Sequence, residues 1–503
     1  MYPATFGRHH RQPVAGGLVP TRGQSLYIIL IIALNIILLV APITTTQPQA
    51  SFTTRGRQLL SVIGNRAGTM AMGNTVAIFL FSSRNNVLLY LTDWSYSTYL
   101  LLHRWLGYCA VGHTVIHSAM LWRYYVIQGT YSAELLRLYW QWGIVGTVAV
   151  CALIPLSLLV VRQKLYEFFI ASHVVLSLLF LLGYYYHIWY VYTYNWGYEI
   201  WMFVAAGLWA CERLLRVARI AFNGSSTAVV SVIADTDNEY IRINIQGKRF
   251  QDGVAYLCFP TLSWRFWETH PFSVSGVITE AQPNHATLPS SRSNLNSDVA
   301  RELTAEKDGA QWTTTAITNK CDSSYEGVTT TFFARARGGI TRTLVERASR
   351  SENRHIRVRV MVEGPYGHSG QIQSQVTQCS SILCIAGGVG ITACLPLLIQ
   401  AGAKNAKLAW SSRHPGLVAE LRPTLNALPS NVKVEILVGQ RFDLASMLSE
   451  ELGGMQTADK GPLAIMVSGP PGMADGVRSA CTKIARGNKK VRPYVMIDEA
   501  FSW

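Results

Sequence analysis

Apolar runs dominate the first 220 residues, whereas the rest of the chain is of mixed composition. Each run is near the length of about 20 residues that a helix needs to cross a bilayer. The pattern therefore predicts an all-α bundle of six transmembrane helices over residues 23–220, after a polar, disordered and cytoplasmic tail at 1–22. The six runs cover residues 25–43, 67–82, 99–122, 142–161, 168–192 and 197–211.

Basic residues between the runs indicate the orientation of the bundle. With a cytoplasmic tail, Arg84, Arg162 and Lys164 fall inside, as the positive-inside rule favours. The bias is moderate, because another group of arginines falls outside. That group consists of Arg55, Arg57, Arg66, Arg123 and Arg137.

Four histidines recur at one interval. His103 and His117 lie in the third run and His173 and His187 in the fifth, each pair fourteen residues apart. Fourteen helical residues rise by about 21 Å and return to nearly the same face. Because one run lies between them, the two helices run parallel and their histidines match in depth. Two facing imidazoles at each of two depths predict axial ligation of two stacked haems.

A hydrogen-bonded packing role is the alternative for any single histidine in an apolar helix. His113 fits that alternative, since it lies one turn before His117. Pairing it with His187 would mismatch the depth by about 6 Å. We therefore exclude His113 from the ligands and expect it to hydrogen-bond a propionate or a neighbouring helix.

Beyond residue 221 the pattern changes to strands. Val229–Ile233 and Tyr240–Ile245 are β-branched and alternating, and residues 277–330 are polar without periodicity, which predicts a flexible insertion. From residue 376 onward, apolar strands alternate with helical stretches, as in a parallel α/β sheet. Those strands are predicted at Ile382–Ala386, Ala406–Trp410, Val432–Val438 and Leu463–Ser468.

Glycine-rich segments follow several predicted strands. Gly387, Gly388 and Gly390 precede Thr392 between a strand and a helix, where backbone N–H groups can bind a pyrophosphate. Gly339 and Thr341 form a similar segment, although an ordinary glycine turn with a threonine cap would look the same.

Two further segments end strands of the predicted parallel sheet. Ser411 and Arg413 could bind an adenosine 2′-phosphate, which would favour NADPH over NADH, although a solvated arginine is the alternative. Ser468, Gly469 and Pro470 follow a later strand, at the carboxyl edge where ligands bind.

Composition narrows the classes of partner. Hydrophobic residues make up 49% of the 503 residues and charged residues 15%, below the roughly 25% of soluble domains. The net charge is +15, but lysine and arginine are scattered, so we expect membrane lipid and anionic cofactors rather than nucleic acid as partners. The nine cysteines occur singly, which shows neither a disulfide framework nor a zinc or iron–sulfur spacing.

Taken together and in order, these motifs resemble the ferric reductase and NADPH oxidase superfamily of transmembrane flavocytochromes b, and most closely the fungal ferric-chelate reductases. The resemblance covers nearly the whole chain. The segments that carry it are Arg84–Asn86, Trp94–Thr98, His103–Trp105, His270–Ser273, Glu363–Gly367, Gly387–Thr392 and Glu499–Trp503.

The resemblance implies a multidomain fold. A haem-binding transmembrane domain would be followed by an FAD-binding β-barrel at 221–375 and an α/β, ferredoxin-reductase-like NADPH-binding domain at 376–503. It implies that His103 and His173 hold the inner haem, and His117 and His187 the outer one. The residues implied to contact FAD are His270, Pro271, Phe272, Ser273, Gly339, Thr341 and Trp503, with Phe272 against the flavin ring and Trp503 covering its face.

For NADPH, the resemblance implies pyrophosphate binding by Gly387, Gly388, Gly390 and Thr392, with Gly469 and Pro470 nearby. Many members have cysteine where this chain has Ser468, beside the nicotinamide. We expect that difference to affect the rate of hydride transfer more than the activity itself.

The function implied is transfer of electrons from cytoplasmic NADPH through FAD and two b-type haems to an external ferric chelate or siderophore, or to Cu(II). Coupling to an iron permease or ferroxidase system would follow. The plasma membrane is the expected site, with a vacuolar membrane left open. The alternatives are a superoxide-generating NADPH oxidase, a catalytically silent haem protein and, less compatible with the motifs, a solute transporter. Family oxidases commonly have one residue fewer between the second pair of histidines, so the equal spacing favours the metalloreductase.

Overall fold

The structure is a computed structural model that divides into two compact units after Ala218, and each unit is described by itself. Trp503 and most of the predicted insertion, residues 280–327, lie outside the described residues, as do residues 1–9 of the predicted tail. The described residues are 10–14, 17–92, 94–262, 268–279, 328–367, 369–402, 404–453, 460–487 and 490–499.

The first unit is all-helical. The described helices are α1 (Arg22–Val40), α2 (Arg55–Ser82), α3 (Val87–Thr92), α4 (Tyr96–Gln128), α5 (Tyr131–Leu135), α6 (Leu138–Leu156), α7 (Leu159–Lys164), α8 (Tyr166–Tyr192) and α9 (Glu199–Asn223). Side chains that accept hydrogen bonds from the first turn cap α1, α2 and α4, with Thr21 and Gln24 forming a capping box and Ser95 capping α4.

Two helices, α2 and α9, extend furthest beyond their apolar runs. α2 begins at Arg55 instead of residue 67. Thr54 caps its first turn, and small residues such as Gly64 are buried in its early turns. α9 continues past residue 211 to Asn223, through polar turns in which Glu212 pairs with Arg213 at 3.0 Å. Apolar runs locate the helix segments that are long enough to cross the hydrocarbon core of a bilayer, but they do not show polar turns that extend a helix beyond that segment.

Membrane spanning is indicated most directly by three helices. α1, α6 and α8 are long and apolar enough to cross a bilayer, whereas the long helices α2, α4 and α9 carry more polar residues. Large apolar side chains cover the surface of the three, for example Leu26 at 69% exposure and Val148 at 62%. Such surfaces suit lipid rather than water. The prediction of six spans stays a prediction for the other three helices.

Close backbone packing joins α6 to α8. A Cβ atom added at Gly183 would lie 2.6 Å from the backbone nitrogen of Gly146 and 2.8 Å from its Cα. Small residues allow such contact between membrane helices, where packing replaces the hydrophobic driving force. This glycine pair therefore fixes the distance between the two helices.

In the second unit, six antiparallel strands form a closed barrel in the order β1-β2-β5-β4-β3-β6. Alternate residues such as Ile241, Ile243 and Ile245 fill its interior, together with Leu344 from the helix α10 (Gly339–Ser349). The strands are β1 (Ser225–Val232), β2 (Tyr240–Gln246), β3 (Val254–Cys258), β4 (His270–Thr279), β5 (Val328–Arg335) and β6 (His355–Tyr366). The bounds of the insertion predicted at 277–330 are wrong at both ends, because residues 277–279 and 328–330 belong to the paired strands β4 and β5.

A five-stranded parallel sheet follows, in the order β11-β10-β7-β8-β9. Four of its strands match the predicted ones, and the edge strand β11 was not predicted. The elements are α11 (Ser369–Thr377), β7 (Ser381–Gly387), α12 (Ile391–Ile399), β8 (Asn405–Ser412), α13 (Pro415–Asn426), β9 (Val432–Val438), α14 (Leu444–Leu452), β10 (Leu463–Ser468), α15 (Pro471–Gly487) and β11 (Tyr494–Asp498). The predicted barrel and parallel α/β folds are confirmed.

We predict that Gly183→Ala lowers the thermal stability of the purified protein. The added methyl group meets rigid backbone rather than a flexible side chain, and overpacking of this kind costs about 1–3 kcal/mol. Gly207→Ala on α9 is the matched control, since no atom lies within 4 Å of its added Cβ. Thermal unfolding in detergent checks the prediction, and equal midpoints for the two variants would contradict it.

Candidate functional site

The four histidines form two facing pairs between α4 and α8. The ring centroids of His103 and His173 are 6.2 Å apart, and those of His117 and His187 are 5.9 Å apart. Because the lower-numbered members pair with each other, α4 and α8 run parallel. The structure thus brings together the pairs named from the sequence.

Each imidazole has a hydrogen-bond partner at Nδ1. His103 Nδ1 lies 2.9 Å from the carbonyl oxygen of Ile78, and His117 Nδ1 lies 2.8 Å from that of Gly64. On α8, His187 Nδ1 lies 2.8 Å from the carbonyl oxygen of Tyr139. An acceptor at Nδ1 places the proton there and leaves Nε2 with its lone pair.

His173 differs from the other three, because its Nδ1 partner is a side chain. The hydroxyl oxygen of Ser157, directly after α6, lies 3.3 Å away. A hydroxyl group can donate or accept, so it fixes the tautomer less strictly than a carbonyl oxygen does. Sequence reasoning missed Ser157, and its position at a helix end offered no signal.

The geometry fits a metal held between two imidazoles. Two metal–nitrogen bonds of about 2 Å, with about 1 Å from each nitrogen to its ring centre, require centroids about 6 Å apart. Among the described residues, no hydrogen bond occupies Nε2 of these four histidines. The same residues contain no cluster of three or more His, Cys, Asp or Glu side chains that could hold a metal ion. Two-coordinate imidazole pairs suit the axial positions of haem, whose other ligands come from the porphyrin.

Glycines make room for the outer pair. A Cβ atom at Gly68 would lie 2.8 Å from Nδ1 of His117, and one at Gly143 would lie 2.8 Å from Nδ1 of His187. A side chain at either position would displace the ring from its acceptor. Neither glycine was singled out from the sequence, although a glycine inside an apolar helix is a signal of close approach.

His113 belongs to a separate buried network. Its Nε2 lies 3.0 Å from the side-chain oxygen of Asn35, which also accepts a hydrogen bond of 2.6 Å from Asn74. The network connects α1, α2 and α4. His113 thus bonds a neighbouring helix, and its exclusion from the two facing pairs agrees with the geometry.

The glycine loop after β7 meets the loop after β10. Gly388 has φ +55°, and a Cβ at Gly390 would lie 2.2 Å from the carbonyl oxygen of Ser468. The indole nitrogen of Trp410 donates to the Gly388 carbonyl oxygen at 2.9 Å, and the Thr392 hydroxyl group donates to Val389 at 2.9 Å. Both loops leave adjacent parallel strands at the point where the strand order reverses, where doubly wound sheets bind ligands.

Pro470 and Gly469 complete this contact. Added Cβ atoms at Gly387 and Gly469 would lie 2.9 Å from the Pro470 ring and 3.1 Å from the Gly387 nitrogen, respectively. Ser468 is fully buried, and its hydroxyl group donates to the Glu499 carbonyl oxygen at 3.3 Å. A buried serine with a partner of its own is a structural element of the loop as well as a candidate neighbour of nicotinamide.

A cleft separates the barrel from the sheet. It is lined by Ser273 and Gly253 from the barrel and by Pro396, Met466 and Glu499 from the sheet. The cleft lies between the two predicted cofactor domains. Glu499 was named from the sequence only as part of a terminal motif.

The other members of the predicted FAD motif are distributed around β4. Phe272 is 7% exposed and packs into the hydrophobic cluster of the barrel, so its contact with a flavin ring stays a prediction. Pro271 pairs with Tyr256 across the sheet, and His270 Nε2 lies 3.9 Å from the Glu268 carboxylate.

Gly339 and Thr341 form the first turn of α10. Gly339 has φ +56°, and the Thr341 hydroxyl group donates to the Gly338 carbonyl oxygen at 3.0 Å. The N-cap residue Gly338 has no side chain to cap the helix, so backbone N–H groups at this end are available for an anion.

Arg413 and Ser411 lie at the carboxyl end of β8. The Arg413 side chain is 67% exposed and lies 3.7 Å from the Glu239 carboxylate, at the turn between β1 and β2. The next residue, Tyr240, contacts the glycine loop, since a Cβ at Gly388 would lie 3.4 Å from its hydroxyl oxygen. Burial raises the pKa of the Tyr240 phenol, which therefore stays protonated. Sequence reasoning did not link this barrel turn to the site.

Two solved structures overlap with large parts of the chain at low similarity. A ferredoxin reductase in carbazole 1,9a-dioxygenase covers 55% of this chain and 70% of its own at 16% identity and a TM-score of 0.31. A flavohemoglobin from Malassezia yamatoensis with bound FAD and heme covers 88% and 99% at 12% identity and a TM-score of 0.33. The topology of the barrel and of the parallel sheet defines the fold of this part of the chain.

Curated relatives come from three fungi. Ferric/cupric reductase transmembrane component 1 of Candida albicans is 26% identical over 463 residues, 88% of this chain and 53% of the relative. Ferric reductase transmembrane component 3 of Saccharomyces cerevisiae is 24% identical over 86% of this chain and 55% of its own length. Ferric/cupric reductase transmembrane component 2 of Schizosaccharomyces pombe is 24% identical over 81% and 71%. The chain spans about half the length of the first two relatives.

A family model covers the part of the chain that holds the histidine pairs. Residues 67–184 match the ferric reductase like transmembrane component, and this range includes three of the four paired histidines. The resemblance inferred from the motifs is thereby confirmed: residues 67–184 match the ferric reductase like transmembrane component, and the chain is similar over most of its length to fungal ferric and ferric/cupric reductases.

Proposed function

We propose that this chain transfers electrons from cytoplasmic NADPH across a membrane to an external ferric chelate, with Cu(II) as a further acceptor. The observation that carries the proposal is the presence of two facing histidine pairs. In each pair, the distance between ring centroids fits a metal held between the two imidazoles. The names of the relatives, which include ferric and ferric/cupric reductases, support the same acceptors.

The residues that would hold the cofactors fall into three groups. When bound, FAD accepts a hydride from NADPH and releases single electrons, which haem carries. The inner haem would lie between His103 and His173, and the outer haem between His117 and His187. FAD would be held by His270, Pro271, Phe272, Ser273, Gly339, Thr341 and Trp503, and NADPH by Gly387, Gly388, Gly390, Thr392, Ser411, Arg413, Gly469 and Pro470, with Ser468 nearby.

The bundle holds the imidazoles in register. Carbonyl oxygens of Gly64, Ile78 and Tyr139 accept from Nδ1 of three rings, which leaves Nε2 of each ring available as a ligand. An acceptor at Nδ1 also raises the basicity of Nε2, which strengthens ligation of ferric iron. Rigid ligands keep reorganisation small when an electron arrives or leaves.

The sheet edge orients the dinucleotide. Trp410 and Ser468 fix the glycine loop from two sides, so its N–H groups are preorganised for phosphate. The cleft lined by Ser273, Met466 and Glu499 lies between the two domains that would hold FAD and NADPH.

An outward electron path gains from the membrane potential. With the dinucleotide domain in the cytoplasm and a negative interior, moving one electron out is favoured by about 2.3 kcal/mol per 100 mV across the full membrane. Reduced iron released outside would then be available to an iron permease or ferroxidase system. The plasma membrane is the proposed location, and a vacuolar membrane would serve the same chemistry.

We predict that cells expressing this chain reduce a membrane-impermeant ferric chelate in the presence of superoxide dismutase. The His117→Ala variant loses this activity, because the outer pair loses a ligand. Chelate reduction is measured by the colour of a ferrous complex. Reduction abolished by dismutase would instead indicate an oxidase, and neither product from haem-loaded protein would indicate a silent haem protein.

We also predict that the four histidines behave as two pairs in haem content. His103→Ala, His173→Ala and the double variant should each retain one haem per chain, since a haem with one axial ligand removed has lost its site. Haem per protein is measured by pyridine haemochrome absorbance. His355→Ala, an exposed barrel residue, is the control with two haems. A double variant with less haem than either single variant contradicts the pairing.

A further inference from the structure

One carboxylate at the edge of the dinucleotide site is shared by three cationic or basic groups. Glu239 lies 3.0 Å from an Arg335 guanidinium nitrogen, 3.7 Å from Arg413 and 3.6 Å from Nε2 of His414. It belongs to the turn between β1 and β2, whereas two of its neighbours follow β8 in the sheet. The second carboxylate of the turn, Asp237, lies 3.7 Å from His414 Nδ1.

The two segments are held together independently of these charges. A Cβ added at Gly416 would lie 1.9 Å from the carbonyl oxygen of Ala234, so the start of α13 contacts the barrel turn directly. Arg242 and Glu420 form a further ion pair between β2 and α13. Glu239 therefore faces Arg413 because the backbones are packed together, and neutralising its charge leaves that packing in place.

The contacts of Glu239 differ in strength. Its contact with Arg335 includes a hydrogen bond of 3.1 Å from Nε. The contact with Arg413 has no hydrogen bond, and the arginine is 67% exposed, so solvent weakens the attraction. Arg413 is thus the partner that is released most easily.

A phosphate group at Arg413 would meet this carboxylate. The proposed site for the 2′-phosphate of NADPH includes Arg413, and a doubly charged anion there would lie close to Glu239. Like charges at such distances repel each other, and both anions draw on the same guanidinium group. A ligand without the 2′-phosphate would experience neither effect.

We propose that Glu239 is a specificity-determining residue of the dinucleotide site, whose carboxylate competes with the 2′-phosphate for Arg413. The inference rests on the proposed function, which assigns Arg413 to that phosphate. Glu239 lowers the advantage of NADPH over NADH and keeps Arg413 paired when no dinucleotide is bound.

The test compares two probes that differ only in the 2′-phosphate: adenosine 2′,5′-bisphosphate and adenosine 5′-monophosphate. Their binding to the purified full chain is measured by calorimetry, which needs no turnover. Glu239→Gln should bind the bisphosphate about two- to fivefold more tightly, the range of one exposed ion pair. Binding of the monophosphate should stay unchanged, which also shows that the site is folded.

Asp237→Asn is the matched control, because Asp237 contacts His414 and not Arg413. It should leave both dissociation constants unchanged. An Asp237→Asn variant that tightens the bisphosphate as much as Glu239→Gln would overturn the proposal, since general charge rather than competition would then explain the effect.

Arg413→Gln separates the inference from the function beneath it. If this variant weakens the bisphosphate but Glu239→Gln does not strengthen it, the site stands and the competition is wrong. Weaker binding in Glu239→Gln would show that the carboxylate aligns Arg413 instead. If Arg413→Gln changes neither probe, the assignment of the 2′-phosphate to Arg413 is wrong, and the inference with it.

Discussion

The strongest constraint on the helical unit is that both ring nitrogens of each paired histidine need a partner. If the facing rings hold a metal, as proposed, one nitrogen faces that metal, and the N–H at the other needs an acceptor, since an unpaired buried donor costs about 1–3 kcal/mol. Both histidines of α4 find theirs on α2, and both histidines of α8 find theirs on α6 or directly after it. Around the four rings, the unit therefore has two helix pairs, α2 with α4 and α6 with α8.

The register within these pairs follows from that constraint. Gly64 and Ile78 are fourteen residues apart (64 to 78), as are His103 and His117 (103 to 117), so two antiparallel helices place both acceptors opposite both rings. On the other pair, Tyr139 and Ser157 are eighteen apart (139 to 157), four more than His173 and His187 (173 to 187). The extra turn takes the second acceptor past the end of α6, where a serine hydroxyl replaces a helix carbonyl. His173 is therefore the histidine whose surroundings a single substitution can change without altering the backbone.

Sequence spacing predicted the pairs because it reports directly on helix faces, and the glycine loop of the sheet was recognisable because its strand and helix flank it. The acceptors were not predictable, since a backbone carbonyl oxygen leaves no mark in the sequence and any residue supplies one. Gly68 and Gly143 gave a weak signal in the sequence, because a glycine inside an apolar helix indicates close approach of another group. In the structure that group is a histidine ring on another helix. The start of α2 and the end of α9 were missed because polar turns continue a helix beyond its apolar segment. Edge strand β11 was missed because it is short and follows a long helix.

The proposed dinucleotide site includes residues that no sequence motif identifies. Every residue named for it from the sequence lies in the domain of the parallel sheet, yet Ile233, Tyr240 and Phe333 of the barrel domain belong to the same hydrophobic cluster as Trp410 and Ile391. That shared core places the turn between β1 and β2 beside the site. The turn carries the carboxylates Asp237 and Glu239. If the sheet binds a 2′-phosphate through Arg413, as proposed, the anion opposite that arginine affects the selectivity. Glu239 of the barrel is that anion, so under this proposal the preference between dinucleotides depends on a domain that contributes no nucleotide motif.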